Sequence, residues 1–242
     1  MKMMAFSGRN MKEILRDPLT FLFGILLPIL LIAMIRALTG AIGGVNPAFA
    51  ISSFAPGMAV FSLTFIMLFS SMLVAGDRAS AFLLRLFASP LTARDYILGY
   101  SLPVFAIGLA QAAVCLVAAL FFGLEPDHLP LALLSLIPAV LMMTGTGLLF
   151  GTLLTDKQSG GVFPLFINAA TLLSGTWFDL NLIGGWFKRI GYALPFAHAV
   201  DATKLSLRGD FSGALPHLGW IAVYAVMVYA LAILAFRRKM RA

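Results

Sequence analysis

The sequence has 242 residues, of which 61% are hydrophobic and 11% charged, and its mean hydropathy is +0.98. Average globular domains contain about 45–50% apolar and about 25% charged residues, so a water-soluble fold of this length could not bury so much apolar surface. The net charge of +7 does not indicate nucleic-acid binding, because the basic residues lie between apolar blocks rather than along one stripe. The composition therefore predicts an all-α, polytopic membrane protein.

Six apolar segments are long enough to cross the hydrocarbon core as helices, which takes about 20 residues each. We expect these spans at about 19–38, 50–75, 96–122, 129–154, 160–178 and 218–236. The single cysteine, Cys115, lies in the third span, so the sequence predicts neither an internal disulfide nor a cysteine-rich metal site. We interpret residues 1–242 as one transmembrane domain.

The distribution of basic residues predicts the orientation. With the N-terminus in the cytoplasm, 12 of the 17 Lys and Arg residues fall on the cytoplasmic side, as the positive-inside rule requires. We therefore predict a multi-pass protein of the cell membrane with both termini in the cytoplasm. Four of the remaining five basic residues lie between 188 and 208, which is basic for an external segment.

The residues before the first span predict a short amphipathic helix, at 1–17. Apolar and charged side chains alternate there at helical spacing: Phe6, Met11, Ile14 and Leu15 against Arg9, Lys12, Glu13 and Arg16. Such a helix would lie on the inner membrane surface, with its apolar side in lipid and Arg9, Lys12 and Arg16 toward anionic headgroups. Asp17 and Pro18 would end it and start the span. The alternative is a basic flank that only sets topology.

The stretch 179–217 contains two apolar segments that charges interrupt before either could span. We predict interfacial or re-entrant half-helices, broken near Gly191 and Pro195, since irregular backbone at membrane depth needs protein or a cavity around it. A plain external loop is the alternative.

Candidate chemistry within the spans is sparse. Gln111 and Asn168 are the largest polar side chains well inside them, whereas ion-coupled carriers usually hold an intramembrane carboxylate or histidine. His198 and Asp201 could share a helix face, but the chain has too few other ligands nearby for a metal site. It also lacks the GK[ST] phosphate loop. We predict no catalytic residue, no metal and no cofactor in this chain.

The loop at 76–95 predicts a small cytoplasmic helix. Phe82 and Leu86 form an i,i+4 pair, and Arg78 and Arg85 share another side. Pro90 would end this helix, after which Thr92 can cap the next one with Asp95 in its first turn. The alternative is a well-capped connector.

Several motifs together make the chain similar to a known family. They are Arg9-Asn10…Glu13…Leu15-Arg16-Asp17-Pro18, Arg85-Leu86…Ser89-Pro90-Leu91…Gly99-Tyr100, and Tyr192-Ala193-Leu194-Pro195…His198-Ala199-Val200-Asp201…Leu207-Arg208-Gly209 before a final span and a basic tail. In this order and spacing the sequence resembles the permease subunits of type 2 ATP-binding-cassette exporters. It departs from them at Asp77-Arg78, where many relatives have a second acidic residue and a Gly-Thr pair.

The resemblance implies a dimer with a second permease, identical or a sister chain, docked on two copies of an ATP-binding subunit that hold ATP and Mg²⁺. It implies that the loop is a coupling helix, whose residues would be Arg78, Phe82, Arg85, Leu86, Pro90, Arg94 and Asp95. The half-helices of 179–217 would close the pathway outside. Because the resemblance puts the second and fifth spans at the dimer interface, the translocation path would include Phe61, Phe65, Phe163, Phe166 and Asn168; ordinary helix or lipid packing is the alternative for each.

The sequence thus predicts the transmembrane subunit of an ATP-driven exporter, without an ATPase site of its own. Aromatic, weakly polar spans suit an amphipathic drug, a lipid or a lipid-linked glycan as substrate. The alternatives are a secondary carrier or channel that ATP does not drive, and a membrane enzyme.

Overall fold

The computed structural model describes residues 2–42, 49–80 and 93–241, and within these ranges the chain forms helices joined by turns, with no strand. The helices are α1 (Lys2–Arg16), α2 (Pro18–Phe21), α3 (Leu27–Ile42), α4 (Ile51–Ala79), α5 (Ala93–Phe121), α6 (Leu129–Leu153), α7 (Asp156–Leu172), α8 (Leu180–Ile183), α9 (Gly185–Ala193), α10 (Pro195–Leu207) and α11 (Phe211–Arg241). A π-helical turn, Leu22–Leu26, joins α2 to α3.

Five stretches in the described ranges are long and apolar enough to cross a membrane: Pro18–Ala41, Ile51–Ala79, Arg94–Phe121, Leu129–Leu153 and Phe211–Arg238. This confirms the all-α, polytopic architecture. The segment predicted as the fifth span, 160–178, differs. Its helix, α7, begins earlier, because Thr155 and Gln158 form a capping box, and it ends at Leu172. At 17 residues it is about 26 Å long, less than the roughly 30 Å hydrocarbon core.

Helix α4 lies at the centre of the bundle and packs very closely against α6. A Cβ atom on Gly147 would lie 2.6 Å from the Met67 carbonyl oxygen, and one on Gly151 would lie 2.7 Å from that of Ser71. Glycine at both positions therefore lets the two backbones approach, as is common between membrane helices. Most of α4 is buried, whereas α11 packs on α6 by one side and leaves only a small part of its length fully buried.

The first span meets α4 and α5 at a buried glutamine. A Cβ atom on Gly24, in the π-helical turn, would lie 2.5 Å from the Gln111 side chain, so only glycine fits opposite it. The Gln111 amide nitrogen donates to the Ser62 carbonyl oxygen at 2.6 Å. The largest polar side chain inside α5 is thus hydrogen-bonded and joins three helices.

The segment 179–217 is mainly helical, which excludes a plain loop. It contains α8, α9 and α10, and α11 begins at Phe211. The predicted break near Pro195 is confirmed, since this residue starts α10. Gly191 lies in the last turn of α9, which ends at Ala193, so the chain breaks between Gly191 and Pro195 as predicted. A further break falls at Gly184, whose φ of +64° favours glycine. Whether these helices enter the membrane stays a prediction.

Candidate functional site

A buried ionic junction lies near the C-terminal end of α4. Asp77, near the end of α4, is only 5% exposed. Its carboxylate accepts two hydrogen bonds from the guanidinium of Arg9, at 2.5 and 2.8 Å, and one from the Tyr100 hydroxyl at 2.6 Å. The junction therefore joins α1, α4 and α5 through one carboxylate, with the bidentate geometry that strengthens Arg–carboxylate pairs.

Helix α1 is docked on α5 beside this junction. The fully buried Asn10 donates to the Gly99 carbonyl oxygen at 3.1 Å. Phe6 covers Gly99 so closely that a Cβ atom there would lie 2.2 Å from its ring, and the same ring meets that of Tyr100 edge-on at 4.8 Å. The expectation that the apolar side of α1 faces lipid is therefore wrong for Phe6 and for Ile14, because both are buried against protein.

The docking of α1 shifts the pKa values of two of its charged side chains, Arg9 and Glu13. Burial alone would lower the pKa of Arg9, but its hydrogen bond to Asp77 and the nearby carboxylates raise that pKa above its ordinary value. Burial raises the pKa of Glu13, although Arg9 lies 2.6 Å away and opposes this. Lys12 and Arg16 are exposed and line one shallow depression together with Arg9. This arrangement holds Arg9 as a structural cation and leaves the other two facing outward.

Arg78 faces inward instead of outward. Its guanidinium donates to the carbonyl oxygens of Gly151, Thr152 and Leu154 at 2.8, 2.5 and 3.2 Å, where α6 ends. These carbonyls have no partner within their own helix, so a cation there satisfies them and complements the helix dipole. Arg78 therefore fastens the end of α4 to the end of α6.

The other predicted coupling residues divide between described and undescribed positions. Phe82, Arg85, Leu86 and Pro90 lie outside the described residues. Arg94 is exposed and Asp95 half-buried, both in the first turn of α5, as predicted for Asp95.

The residues predicted for the translocation path do not form one surface. Phe163 is fully buried and packs edge-on against Phe150, which favours ordinary helix packing for it. Phe61 and Phe65 are half-buried neighbours whose ring centres lie 5.1 Å apart.

A small cleft between α4, α7 and α10 does involve part of this set. Phe61 and Phe196 line it with Thr64, Thr171 and Ser174. Phe166 contacts Phe196, with ring centres 5.8 Å apart. Asn168 is exposed on α7 and donates to a carbonyl of its own helix, so it lies apart from the cleft.

A cluster of aromatic and histidine side chains lies near the N-terminal end of α11. His198 Nε2 is 2.9 Å from the Tyr192 carbonyl oxygen, which can only accept, so this nitrogen carries the proton. With His198 neutral, its Nδ1 accepts, and the His217 Nδ1 at 2.7 Å donates to it. Burial lowers the pKa of His198, and this outweighs the hydrogen bond to the Tyr192 carbonyl, which alone would raise that pKa.

Asp201 completes this cluster without making it a metal centre. Its carboxylate accepts from the Tyr192 hydroxyl at 2.7 Å; burial, together with this bond, raises the Tyr192 pKa. The described ranges contain no group of three or more His, Cys, Asp or Glu residues that could hold a metal ion.

Sequence reasoning did not find the junction residues Asp77, Tyr100 and Asn10 as partners. The available signal was a carboxylate at the end of a long apolar run, since a buried charge requires a partner. Nothing in the local pattern indicated that this partner would be Arg9, 68 residues away.

Comparison with known proteins supports the family resemblance described above, and it does so over most of the chain. The model of the ABC-2 type transporter family matches residues 1–206. The probable multidrug ABC transporter permease YbhR of Escherichia coli (strain K12) is 28% identical over 183 residues, which cover 72% of this chain and 49% of that protein. The chain thus spans about half the length of this relative. Nodulation protein J of Neorhizobium galegae is 25% identical over 237 residues, covering 93% of this chain and 85% of that protein.

Proposed function

Because the chain belongs to the ABC-2 type transporter family, as the transmembrane subunit of an ABC transporter, we propose that it exports its substrate under the control of separate ATP-binding subunits docked on residues 76–95. ATP and Mg²⁺ would bind to those partners. Two permeases, identical or sister chains, would form the path between them.

The observation that carries this proposal is the fastening of both ends of the loop. On one side, Asp77 and Arg78 tie the end of α4 to α1 and α6. On the other side, Tyr100 ties the beginning of α5 to the same Asp77 carboxylate. A force applied to the loop would therefore reach four helices at once.

This arrangement suits a mechanically driven transporter. When ATP binding closes the two partner subunits, the loop would move with them, and α1, α4, α5 and α6 would follow as one packed body. Close-packed helices transmit such a shift with little deformation. Access to a site between the two permeases would then switch from one side to the other.

We propose an amphipathic compound as the substrate class, either a drug-like molecule or a lipid or lipid-linked glycan. One observation supports this class: YbhR is described as a probable multidrug permease. The exposed apolar residues of α7, Val162, Leu165 and Leu172, are candidates for the contact with the second permease.

The proposed orientation places α1 and the loop in the cytoplasm, where an ATP-binding subunit is accessible. It rests on the excess of Lys and Arg on that side. Labelling of single cysteines at Lys12 and Lys188 in a Cys115→Ala background, in sealed right-side-out vesicles, tests it. Reagents that cannot cross the membrane should modify only position 188.

Reversing one loop charge tests the coupling. In the complex with its co-purified ATP-binding subunit, Arg85→Glu should abolish ATP-dependent uptake of ethidium into inverted vesicles while the chain still inserts. Arg238→Glu, a charge reversal outside the loop, is the matched control and should leave transport near its normal rate. Normal transport and normal co-purification in Arg85→Glu would refute the docking role. Ion-gradient-driven transport by the chain without its partner would refute ATP coupling altogether.

A further inference from the structure

An apolar groove runs along the outer surface of the bundle between α5 and α11. Both helices pack on α6 but make few contacts with each other, so a channel remains with α6 as its floor. Its walls are Ile97, Leu98, Ser101, Leu102 and Phe105 from α5 and Ala225, Val226, Tyr229, Ala230 and Ile233 from α11, with Leu141 of α6 beneath. Apart from Ser101 and Tyr229, every lining residue is apolar.

The groove ends in a pocket with two arginines. Arg94, Ile97, Leu98, Ile233 and Arg237 line this pocket, and three of the five also line the groove, so the two are continuous. Both arginines are exposed, and no carboxylate lines the pocket. Neither arginine forms an ion pair within the described ranges. Two cations at one pocket repel each other unless an anion lies between them.

The dimensions match one leaflet of a bilayer. Along α5 the lining residues run from Arg94 to Phe105 and along α11 from Arg237 back to Ala225, which at 1.5 Å per residue gives about 17 Å. Half of the hydrocarbon core measures about 15 Å. The arginines lie where the apolar part of each helix ends, so they fall at the level of the lipid headgroups.

We propose that this groove is a binding site for one anionic phospholipid. Its phosphate would bind Arg94 and Arg237 by charge-assisted hydrogen bonds, and one acyl chain would lie along the α5–α11 groove. Leu98, Leu102 and Val226, which are 45%, 42% and 71% exposed, would contact the chain. The Tyr96–Phe236 stack, with ring centres 3.7 Å apart, joins α5 to α11 next to the pocket residues Ile97 and Arg237 in the chain. The site requires neither the ATP-binding subunit nor a particular side of the membrane.

Native mass spectrometry of the purified chain with added palmitoyl-oleoyl phosphatidylglycerol measures this binding directly. Each basic residue near an anionic lipid contributes an affinity factor of about five, so Arg237→Gln should weaken the first binding event about fivefold and Arg94→Gln similarly. Arg238→Gln is the matched control, because the neighbouring arginine does not line the pocket. The zwitterionic phosphatidylcholine, whose choline partly neutralises its phosphate, should bind the unmodified chain more weakly and lose less affinity in the same variants.

A second variant tests the groove independently of charge. Val226→Trp fills it at a residue that is already largely exposed, and it should abolish the first tight binding event while the chain still elutes as a folded species. If Arg237→Gln and Arg238→Gln weakened phosphatidylglycerol binding equally, the lipid would be held only by the general positive charge of this region. The proposed site would then be refuted. If Val226→Trp instead changed the ratio of monomer to dimer and left lipid binding unchanged, the occupant would be a second copy of the chain, and the proposal would be wrong.

Discussion

We expect the two residues of the Arg9–Asp77 pair to differ in how much stability the protein loses when each is changed. Asp77 is almost fully buried, while the Arg9 side chain is 37% exposed and already contacts Glu13 at 2.6 Å. Arg9→Gln would leave a buried carboxylate whose remaining donor is the Tyr100 hydroxyl. Asp77→Asn would leave a cation that can turn toward solvent and Glu13. The first change should therefore cost more stability than the second.

The magnitudes follow from this difference in burial. Removing one partner of a fully buried pair costs about 3–5 kcal/mol, and the exposure of Arg9 reduces this to about 2 kcal/mol for Arg9→Gln. Asp77→Asn weakens charge-assisted hydrogen bonds, but Arg9 is partly exposed and keeps its contact with Glu13, which reduces the loss to about 1 kcal/mol. For a chain of this size these values correspond to a lowering of Tm by about 4–8 °C and about 2–4 °C. The double variant should resemble Asp77→Asn alone, because no buried charge remains.

The single cysteine provides the assay. Cys115 is fully buried, so a dye that fluoresces on reaction with thiols reports unfolding of the purified protein during a heating scan at fixed rate. Arg16→Gln, an exposed change on the same helix, serves as control and should shift Tm by no more than about 2 °C. If Asp77→Asn lowered Tm as much as Arg9→Gln, or if the double variant showed the sum of both shifts, the burial argument would be refuted.

Three further changes test other contacts. Gly99→Ala should lower Tm by pushing the Phe6 ring away from α5, and adding Phe6→Ala should restore part of the loss; no recovery in the double variant would contradict the contact. Arg78→Gln should lower the free energy of unfolding by about 1–3 kcal/mol, because the α6 carbonyls lose a charged donor, and Arg78→Lys should recover part of this loss. Burial lowers the pKa of His198, so the unfolded chain binds its proton more readily; stability should be greatest above pH about 6.5 and fall as the pH drops below it. The fluorescence of Trp220, whose ring centre lies 5.4 Å from that of His198, should change with pH as His198 takes up its proton. In His198→Gln this change with pH should become smaller.

The segment 76–95, predicted to be a coupling loop, illustrates how far sequence reasoning reached. The pattern predicted Asp95 in the first turn of a helix, and α5 places it there, because capping and first-turn preferences act over a few residues. The same pattern placed Arg78 with Arg85 on an outward side. In the structure Arg78 turns inward to the end of α6, which lies more than 70 residues along the chain and could not be located from local spacing.

The sequence by itself determined five of the six predicted membrane helices of this protein. A long apolar run in lipid must satisfy its own backbone, so its length and flanking charges suffice to predict a spanning helix, and Asp17-Pro18 and Pro195 mark breaks through local geometry. Only the tertiary structure decided which helices meet. The Arg9–Asp77 pair and the common pocket of Arg94 and Arg237 each join distant segments of the chain. Other helices come together through close approaches at Gly99, Gly147 and Gly151. Such approaches arise from the packing of whole helix surfaces, which no local pattern of residues encodes.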